Sequence, residues 1–377
     1  MIFPPFEYSH PLMWMFYGFV GVALIQLLAY WTVFIRLAFY RFKATSNNIP
    51  PVSVVICAKN EYLNLQEILP TLLAQDYPQF EVVVVNDASD DDTYYLLKLL
   101  SEAHPNLSVV NINQNLNFFT GKKFPLSIGI RSAKHEILLL ADADCVPSSP
   151  NWIRSMVAKY DSGKDIVLGY SGFIPRPGLL NLLIRFEAFY TGLQYLSLAL
   201  AGMPYMGVGR NLSYRKPLFY KNKGFISHYS ISSGDDDLFI NQVANKRNTA
   251  VSLSPDGFTR SEAKHGFGDW IRQKRRHLTT GRHYKFKHKF VLGLLSTSQV
   301  LFYGLFVALL LLGFPWYWIV PVVGLRLLTQ LFVFKQSMNK LKEHGFLLIS
   351  PILEILLMVL LPLIALTNPF VRKTKWK

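Results

Sequence analysis

The chain has 377 residues, enough for two domains or for one domain with membrane segments. Hydrophobic residues make up 51% and charged residues only 17%, and the apolar residues are grouped in long runs, which excludes an ordinary soluble domain. The net charge of +15 could indicate nucleic-acid binding, but the basic clusters lie beside the apolar runs, where membrane topology and anionic lipid explain them, so we expect no nucleic-acid partner.

Four apolar segments are long enough to cross a bilayer, which takes about 20 helical residues. They cover residues 12–40, 291–314, 316–334 and 346–366. No Lys or Arg precedes the first segment, whereas Arg36, Arg41 and Lys43 lie at or beyond its end. Because basic residues favour the cytosolic side, residues 1–44 are predicted to be an N-terminal transmembrane anchor. Its N-terminus lies outside, and the chain that follows it lies in the cytosol. We expect an integral, multi-pass protein of the bacterial cytoplasmic (inner) membrane.

The C-terminal region, residues 291–377, holds the other three segments, and its charges disagree with four complete crossings. Eight Lys or Arg at 272–289 place the start of the second segment in the cytosol. Four crossings would then put the final "RKTKWK" outside, against the positive-inside rule. Either the fourth segment is re-entrant or one boundary is wrong.

Besides Arg36 near the end of the first segment, two charged residues lie inside these segments. Arg326 and Glu354 are each eight residues from a predicted cytosolic boundary, or about 12 Å deep. A lone charge at that depth costs about 3 kcal/mol. We therefore expect the two side chains to pair; the alternative is that one of them snorkels or faces a cavity.

Between the first two segments, residues 45–290 alternate short apolar runs with helical patterns. The runs are rich in β-branched residues and cover 52–57, 81–85, 107–112 and 136–141, with helical patterns at 61–75, 91–103 and 122–134. This alternation predicts a cytosolic α/β domain with a mostly parallel sheet. Ligands of such sheets bind beyond the carboxyl ends of the strands.

Polar residues follow three of those strands. Ala58 and Glu61 follow the first, Asp87 the second, and Asp142 and Asp144 the fourth. Two carboxylates spaced two residues apart at a strand end can hold one hard cation that also binds a diphosphate. Asp90 to Asp92 fit helix capping better than ligand binding.

The stretch "SGDDDLFI" places three consecutive aspartates, 235–237, directly before an apolar run. Like charges at this spacing raise proton affinity, so one of the three could take a proton from a substrate. The triplet could equally cap a helix or hold a metal ion.

Two further segments are expected to lie at the membrane surface rather than to cross it. Residues 178–200 are apolar but carry Arg185 and Glu187, and residues 269–289 mix Trp270 and other aromatic residues with basic ones.

Six motifs occur together in one order: "VSVVICAKNE", "VVVVNDASDDDT", "GKKFPLSIGI", "ILLLADADC", "SGDDDLF" and "QKRRH". Over roughly residues 50–280 they resemble membrane-integrated family 2 glycosyltransferases, which include polysaccharide synthases and ceramide glucosyltransferase-like enzymes. The resemblance implies a GT-A fold, a Rossmann-like α/β domain with flanking transmembrane helices. It also implies a nucleotide-sugar donor, of which UDP-sugars are the commonest in the family, and a divalent cation, Mg²⁺ or Mn²⁺.

The same resemblance assigns roles to individual residues. Donor and nucleotide binding fall to Ala58, Glu61, Asp87, Lys122 and Asp142, the metal to Asp144, catalysis to Asp236 as base, and the acceptor and diphosphate to Gly207, Asn211, Asp235, Gln273, Arg276 and His277. For Gly207 and Asn211, a purely structural turn is the alternative. Asp237 is expected to cap or flank a helix that starts at Leu238.

His277 departs from the family pattern, because processive members have Trp at this position. We therefore expect an inverting transfer of one or a few sugars to a lipid-linked or membrane-proximal glycan acceptor. A processive synthase that extrudes its product is the first alternative. A non-catalytic transporter or scaffold with a nucleotide-sugar-binding domain is the second.

Overall fold

The computed structural model describes residues 11–41, 49–113, 121–160 and 163–367. The strands are β1 (Val52–Ala58), β2 (Phe80–Asp87), β3 (Leu107–Ile112), β4 (Ile137–Asp142), β5 (Cys145–Pro147), β6 (Ile166–Leu168), β7 (Ser171–Phe173), β8 (Leu212–Arg215), β9 (Thr249–Val251) and β10 (Thr259–Ser261). The helices of the first half are α1 (Pro11–Ala38, with a π-helical turn at Tyr30–Phe34), α2 (Tyr62–Leu73), α3 (Thr93–Ala103), α4 (Lys123–Ser132), α5 (Trp152–Val157) and α6 (Leu179–Leu200). The second half adds α7 (Lys216–Lys221), α8 (Asp237–Val243), α9 (Phe267–Leu278), α10 (Phe286–Leu311), α11 (Trp316–Leu341) and α12 (Ser350–Thr367).

A seven-stranded sheet with the order β3-β2-β1-β4-β8-β6-β9 forms the centre of the α/β domain. The pairs β2–β3, β1–β2 and β1–β4 are parallel, and β8 runs antiparallel to β4 and β6. The predicted mostly parallel sheet is confirmed. Ala58 pairs with Asn86, and Cys57 with Asp142, so the carboxyl ends of β1, β2 and β4 meet at one edge. A second sheet, β5-β10-β7, lies where β4 ends.

Both faces of the large sheet are buried, which explains why its strands are continuous apolar runs rather than alternating ones. Val54 and Ile56 pack into the core under α2 and α5, whereas Val55 and Cys57 pack into the core on the opposite face. That second core also contains Phe334 and Leu353 of the apolar helices. The α/β domain and the apolar helices therefore share one continuous hydrophobic core.

Four helices in the described ranges are long and apolar enough to cross a membrane: α1, α10, α11 and α12. They correspond to the four segments predicted from the sequence. Helix α6 is more enclosed than the amphipathic surface helix that we expected. Its Phe186 and Phe189 contact Phe334 of α11 and Phe346 before α12, while its Leu193 belongs to the shared core.

A polar cluster lies among the apolar helices. Arg326 Nη2 lies 2.7 Å from Glu354 Oε2, so the predicted ion pair is present. Gln26 Oε1 of α1 accepts from Arg326 Nε at 2.9 Å, and Gln299 Nε2 of α10 donates to Glu354 Oε1 at 2.9 Å. Because all four long helices contribute a polar group, the cluster fixes their mutual rotation and depth.

Neutralising one member of the Arg326–Glu354 pair should destabilise the protein more than neutralising both. Arg326→Met or Glu354→Gln alone leaves a buried charge without its partner and should lower the free energy of unfolding by about 3–5 kcal/mol. The double variant removes both charges, so its loss should be smaller than either single loss. Thermal unfolding in detergent measures this, with Arg36→Met, at an exposed arginine of α1, as the control. A double loss equal to the sum of the single losses would contradict the pairing.

Candidate active site

A cavity of about 880 Å³ lies at the carboxyl ends of β1 and β4, between the sheet and helices α6 and α9. Nine of the residues singled out from the sequence line it: Glu61, Lys122, Asp142, Asp144, Asp235, Asp236, Gln273, Arg276 and His277. Residues from positions 61 to 277 thus converge on one cavity. Its wall also includes Leu361 of α12, so the last apolar helix reaches the same cavity.

Asp142 and Lys122 form an ion pair in the floor of this cavity. Burial by itself raises the pKa of Asp142, but the ammonium group of Lys122 outweighs that effect and holds the pKa below its usual value. Asp142 therefore stays ionised at neutral pH.

Asp142, Asp144 and Cys145 bring potential metal-ligand atoms within 4.8 Å of one another. Burial, and then the nearby Asp142 carboxylate, raises the pKa of Asp144, so a cation between the two carboxylates would relieve their repulsion. The buried Cys145 Sγ lies 2.9 Å from Ser261 Oγ. Since Mg²⁺ and Mn²⁺ prefer oxygen ligands, the residues fit a hard divalent cation held by the two carboxylates and not by the thiol.

The aspartate triplet, Asp235 to Asp237, also lines this cavity, and Asp236 is its central residue. Asp236 Oδ2 accepts from the Gly209 amide at 2.7 Å, and Oδ1 accepts from the Asp237 amide at 2.7 Å. Burial, together with the charges of Asp235 and Asp237, raises the pKa of Asp236 to about 8. A carboxylate with this proton affinity is suited to general-base catalysis at neutral pH.

Of the two roles expected for Asp237, the structure fits flanking the helix and not capping it. Helix α8 begins at Asp237 itself, and Asp236 is its N-cap. Asp237 Oδ2 instead accepts from the hydroxyls of Thr280 and Tyr284, the latter at 2.7 Å. Because both hydroxyls follow α9, Asp237 connects the triplet to the helix that carries Gln273 and Arg276.

Helix α9 is fastened to α6 by a second carboxylate. Glu187 Oε2 accepts from Trp270 Nε1 at 3.1 Å, and Glu187 Oε1 lies 2.6 Å from Lys274 Nζ. These contacts fix α9 over the cavity, so Gln273 and Arg276 face the carboxylates of the strand ends.

Four residues expected at the site do not line the cavity. Asn211 is fully buried: its Nδ2 donates to the carbonyls of Tyr170 and Gly257, at 2.7 and 2.8 Å, and its Oδ1 accepts from Trp152. Gly207 packs against Leu168 and Leu212. Asn211 and Gly207 therefore fit the structural alternative. Ala58 is buried beneath the strand ends, and Asp87 lies half-buried at the end of β2.

Asp91 fulfils the helix-capping role that the sequence predicted for the acidic run Asp90 to Asp92. Its Oδ1 accepts from the Thr93 amide at the start of α3, and its Oδ2 accepts from the Tyr62 amide at the start of α2, both at 3.1 Å. One aspartate thus organises the amino ends of two helices beside the strand ends.

Arg210 is a site residue that the sequence motifs did not reveal. It lines the cavity, its guanidinium lies 4.3 Å from the centre of the Phe173 ring, and its charge acts on Asp142 and Asp144. Among the described residues, its buried Nη1 has no hydrogen-bond partner. The only signal in the sequence was its position between Gly209 and Asn211. A free guanidinium donor beside the carboxylate pair is suited to an anionic ligand.

Comparisons with known proteins agree with this geometry. Residues 53–199 match the family model described as "Glycosyl transferase family 2". A poly-beta-1,6-N-acetyl-D-glucosamine synthase of Staphylococcus epidermidis is 28% identical over 104 residues, 28% of this chain and 24% of that protein. An undecaprenyl-phosphate 4-deoxy-4-formamido-L-arabinose transferase of Klebsiella pneumoniae is 31% identical over 122 residues, 32% of this chain and 36% of that protein.

The fold has a counterpart among solved structures. The mannosyltransferase PcManGT from Pyrobaculum calidifontis, solved in complex with GDP-Man and Mn²⁺, matches with a TM-score of 0.59 and 20% identity, covering 91% of this chain and 99% of that chain. The chain therefore carries a glycosyltransferase family 2 domain with the GT-A fold, flanked by helices apolar enough to cross a membrane. The curated relatives are matched over 24% to 42% of their own lengths.

Proposed function

We propose that this protein is an inverting glycosyltransferase that moves a sugar from a nucleoside diphosphate sugar to the hydroxyl of a lipid-linked or membrane-proximal glycan. The observation that carries the proposal is that one cavity is lined both by a carboxylate pair fit for a cation and by Asp236. UDP-sugars are the first donors to test, followed by GDP-sugars, because the mannosyltransferase of similar fold was solved with GDP-Man.

In the proposed reaction, Asp236 takes the proton of the acceptor hydroxyl while the oxygen of that hydroxyl bonds to the anomeric carbon of the donor sugar. The bond from that carbon to the diphosphate breaks on the opposite face, so the configuration inverts. Arg276 and Arg210 line the cavity where they can bind the departing diphosphate. A divalent cation on Asp144 and Asp142 would neutralise charge on the same phosphates. Glu61 and Lys122 bind the donor at the strand ends.

The apolar part of the cavity wall supports a lipid-linked acceptor. Met206, Leu278 and Leu361 lie on the side where α6, α9 and α12 meet, next to the apolar helices. One relative is named for transfer to undecaprenyl phosphate, which agrees with this acceptor class. The relative named as a polysaccharide synthase keeps processive synthesis as a second candidate, and product length on a gel separates the two.

The proposal is tested by incubating detergent-solubilised protein with a panel of nucleotide-sugars, Mg²⁺ or Mn²⁺, and membrane lipid extract. Nucleoside diphosphate should be released from one donor class and the sugar should appear in the lipid fraction. Tight nucleotide binding without release from any donor would indicate a binding protein instead.

With the active donor known, Asp236→Asn should lower transfer by about 100- to 10,000-fold, because the amide cannot take up the acceptor proton. Nucleotide affinity, measured by calorimetry, should stay within about twofold of wild type, since Asp236 does not bind the donor in the proposed reaction. Asp256→Asn, at an exposed aspartate, is the matched control. Sugar transfer by Asp236→Asn at the wild-type rate would refute the assignment.

We further propose that α1, α10 and α11 cross the bacterial cytoplasmic membrane, that the α/β domain is cytosolic, and that α12 is re-entrant. Just before α12, Glu343 accepts from Arg185 at 2.9 Å and from Arg260 at 3.1 Å, both in the α/β domain. At the other end, Thr367 accepts from Arg275 of α9 at 3.4 Å. Both flanks of α12 therefore contact the α/β domain, although Glu354 between them pairs with the buried Arg326. A cytosolic position of Thr367 also agrees with the positive charge of the sequence that follows it.

Cysteine labelling should place Thr367 on the cytosolic side. His344 is exposed in the loop before α12 and Leu312 is exposed beyond α10, so cysteines at these positions mark the two sides. A membrane-impermeant thiol reagent should label Thr367→Cys and His344→Cys in inside-out vesicles, and Leu312→Cys in right-side-out vesicles. Cys57 and Cys145 are buried, so the background should be low. Labelling of Thr367→Cys together with Leu312→Cys would mean that α12 crosses the membrane.

A further inference from the structure

Lys123, the first residue of α4, uses its whole ammonium group to bind one backbone segment. Its Nζ donates to the carbonyl oxygens of His228 at 2.7 Å, Ile231 at 2.5 Å and Ser233 at 2.7 Å. The side chain is only 2% exposed. An ammonium group has three N–H donors, so each of them is satisfied by a carbonyl of this segment.

The residues bound in this way lead directly to the proposed base. The segment 228–233 begins at the end of a 3-10 turn, where the carbonyl oxygen of His228 also accepts from the Ile231 amide at 3.1 Å. Residues 229–233 contain no helix or strand, so Lys123 provides hydrogen bonds that regular structure does not. The segment leads into Gly234, with φ of +98°, and Asp235 and Asp236 follow at once. The position of Asp236 therefore depends on how this irregular segment is held.

Gly121, two residues before Lys123, contacts the same segment. A Cβ atom at Gly121 would lie 2.4 Å from the carbonyl oxygen of Ser232, and the glycine has a φ of +102° that other residues rarely adopt. The turn before α4 thus packs so closely against the backbone of Ser232 that no side chain fits at Gly121. The three hydrogen bonds of Lys123 and this contact hold the segment from the same side.

The positive charge of Lys123 supports the same role as its hydrogen bonds. Burial lowers the pKa of Lys123 to about 8, and the carboxylates of Asp235, Asp237 and Asp236 oppose that decrease. The group therefore remains a cation at neutral pH and offsets part of the repulsion within the aspartate triplet.

We propose that Lys123 is a positioning residue for catalysis: it fixes the segment 228–233 so that Asp236 faces the acceptor hydroxyl. This inference rests on the proposed function of Asp236. It also distinguishes two adjacent lysines, because Lys122 pairs with the Asp142 carboxylate, whereas Lys123 binds the backbone that leads to Asp236.

The inference is tested by the kinetics of Lys123→Met, with Lys122→Met and Lys98→Met for comparison. Lys123→Met keeps the length of the side chain but removes its charge and donors. Its kcat should fall about 100-fold, the usual result of a displacement of about 1 Å at a reacting group. Its KM for the nucleotide-sugar should stay within about twofold of wild type, because the donor groups are untouched. Lys122→Met should instead raise the donor KM, and Lys98→Met, at an exposed lysine, should match wild type.

Lys123→Arg is a second substitution at this position, and it keeps the test available if Lys123→Met fails to fold. A guanidinium keeps the charge but cannot direct three bonds from one nitrogen to carbonyls that lie 2.5 to 2.7 Å from Nζ. We expect its kcat to fall between those of wild type and Lys123→Met, again with an unchanged donor KM. Wild-type kcat in Lys123→Arg, or a rise in donor KM like that of Lys122→Met, would overturn the inference. If the wild-type protein transfers no sugar, the proposed function fails instead.

Discussion

Three consecutive carboxylates, Asp235 to Asp237, lie at the amino end of α8, and their mutual repulsion is the constraint around which the site is organised. Backbone and side-chain donors from distant parts of the chain compensate it: the amide of Gly209, the hydroxyls of Thr280 and Tyr284, and the ammonium of Lys123. The compensation is partial at Asp236, whose pKa remains raised to about 8. The crowding that would be a defect elsewhere gives this carboxyl group the proton affinity of a base.

The same hydrogen-bond donors connect the aspartate triplet, through α9 and α6, to the apolar helices. Thr280 and Tyr284 follow α9, and α9 is fastened to α6 through Glu187. Helix α6 in turn packs against Phe334 and Phe346 of the apolar region. The proposed base, helix α9 and the apolar helices therefore form one continuous set of contacts. Such a connection suits an enzyme whose acceptor arrives from the bilayer while its donor arrives from water.

The sequence predicted that the polar residues after the parallel strands lie together, and three of them line one cavity. Parallel strands end at one edge, so Glu61, Asp142 and Asp144 had to lie near one another once the strands were recognised. The Arg326–Glu354 pair could be predicted as well, because a lone charge at that depth is too costly. Both predictions depend on regular geometry, which residue spacing encodes directly.

The partners within irregular segments could not be predicted in the same way. The roles of Asn211, Asp237 and Lys123 depend on loops that meet across 40 to more than 100 residues, and no periodic pattern specifies where such loops meet. Asn211 looked like a pocket residue but satisfies buried carbonyls. Length and apolar content predict that α12 crosses the membrane, whereas the contacts of its flanks with Arg260 and Arg275 support the re-entrant path proposed above.

The central claim is that Asp236 is a base whose proton affinity is raised by its surroundings. The most direct measurement is the pH dependence of kcat/KM for the donor, which reports ionisation in the free enzyme. Only ionised Asp236 can accept the proton, so kcat/KM should rise about tenfold per pH unit between about pH 5.5 and 7.5, below a pKa of about 8. A rate that is flat over this range, with its inflection near the pKa of about 4 of an ordinary aspartate, would contradict the account.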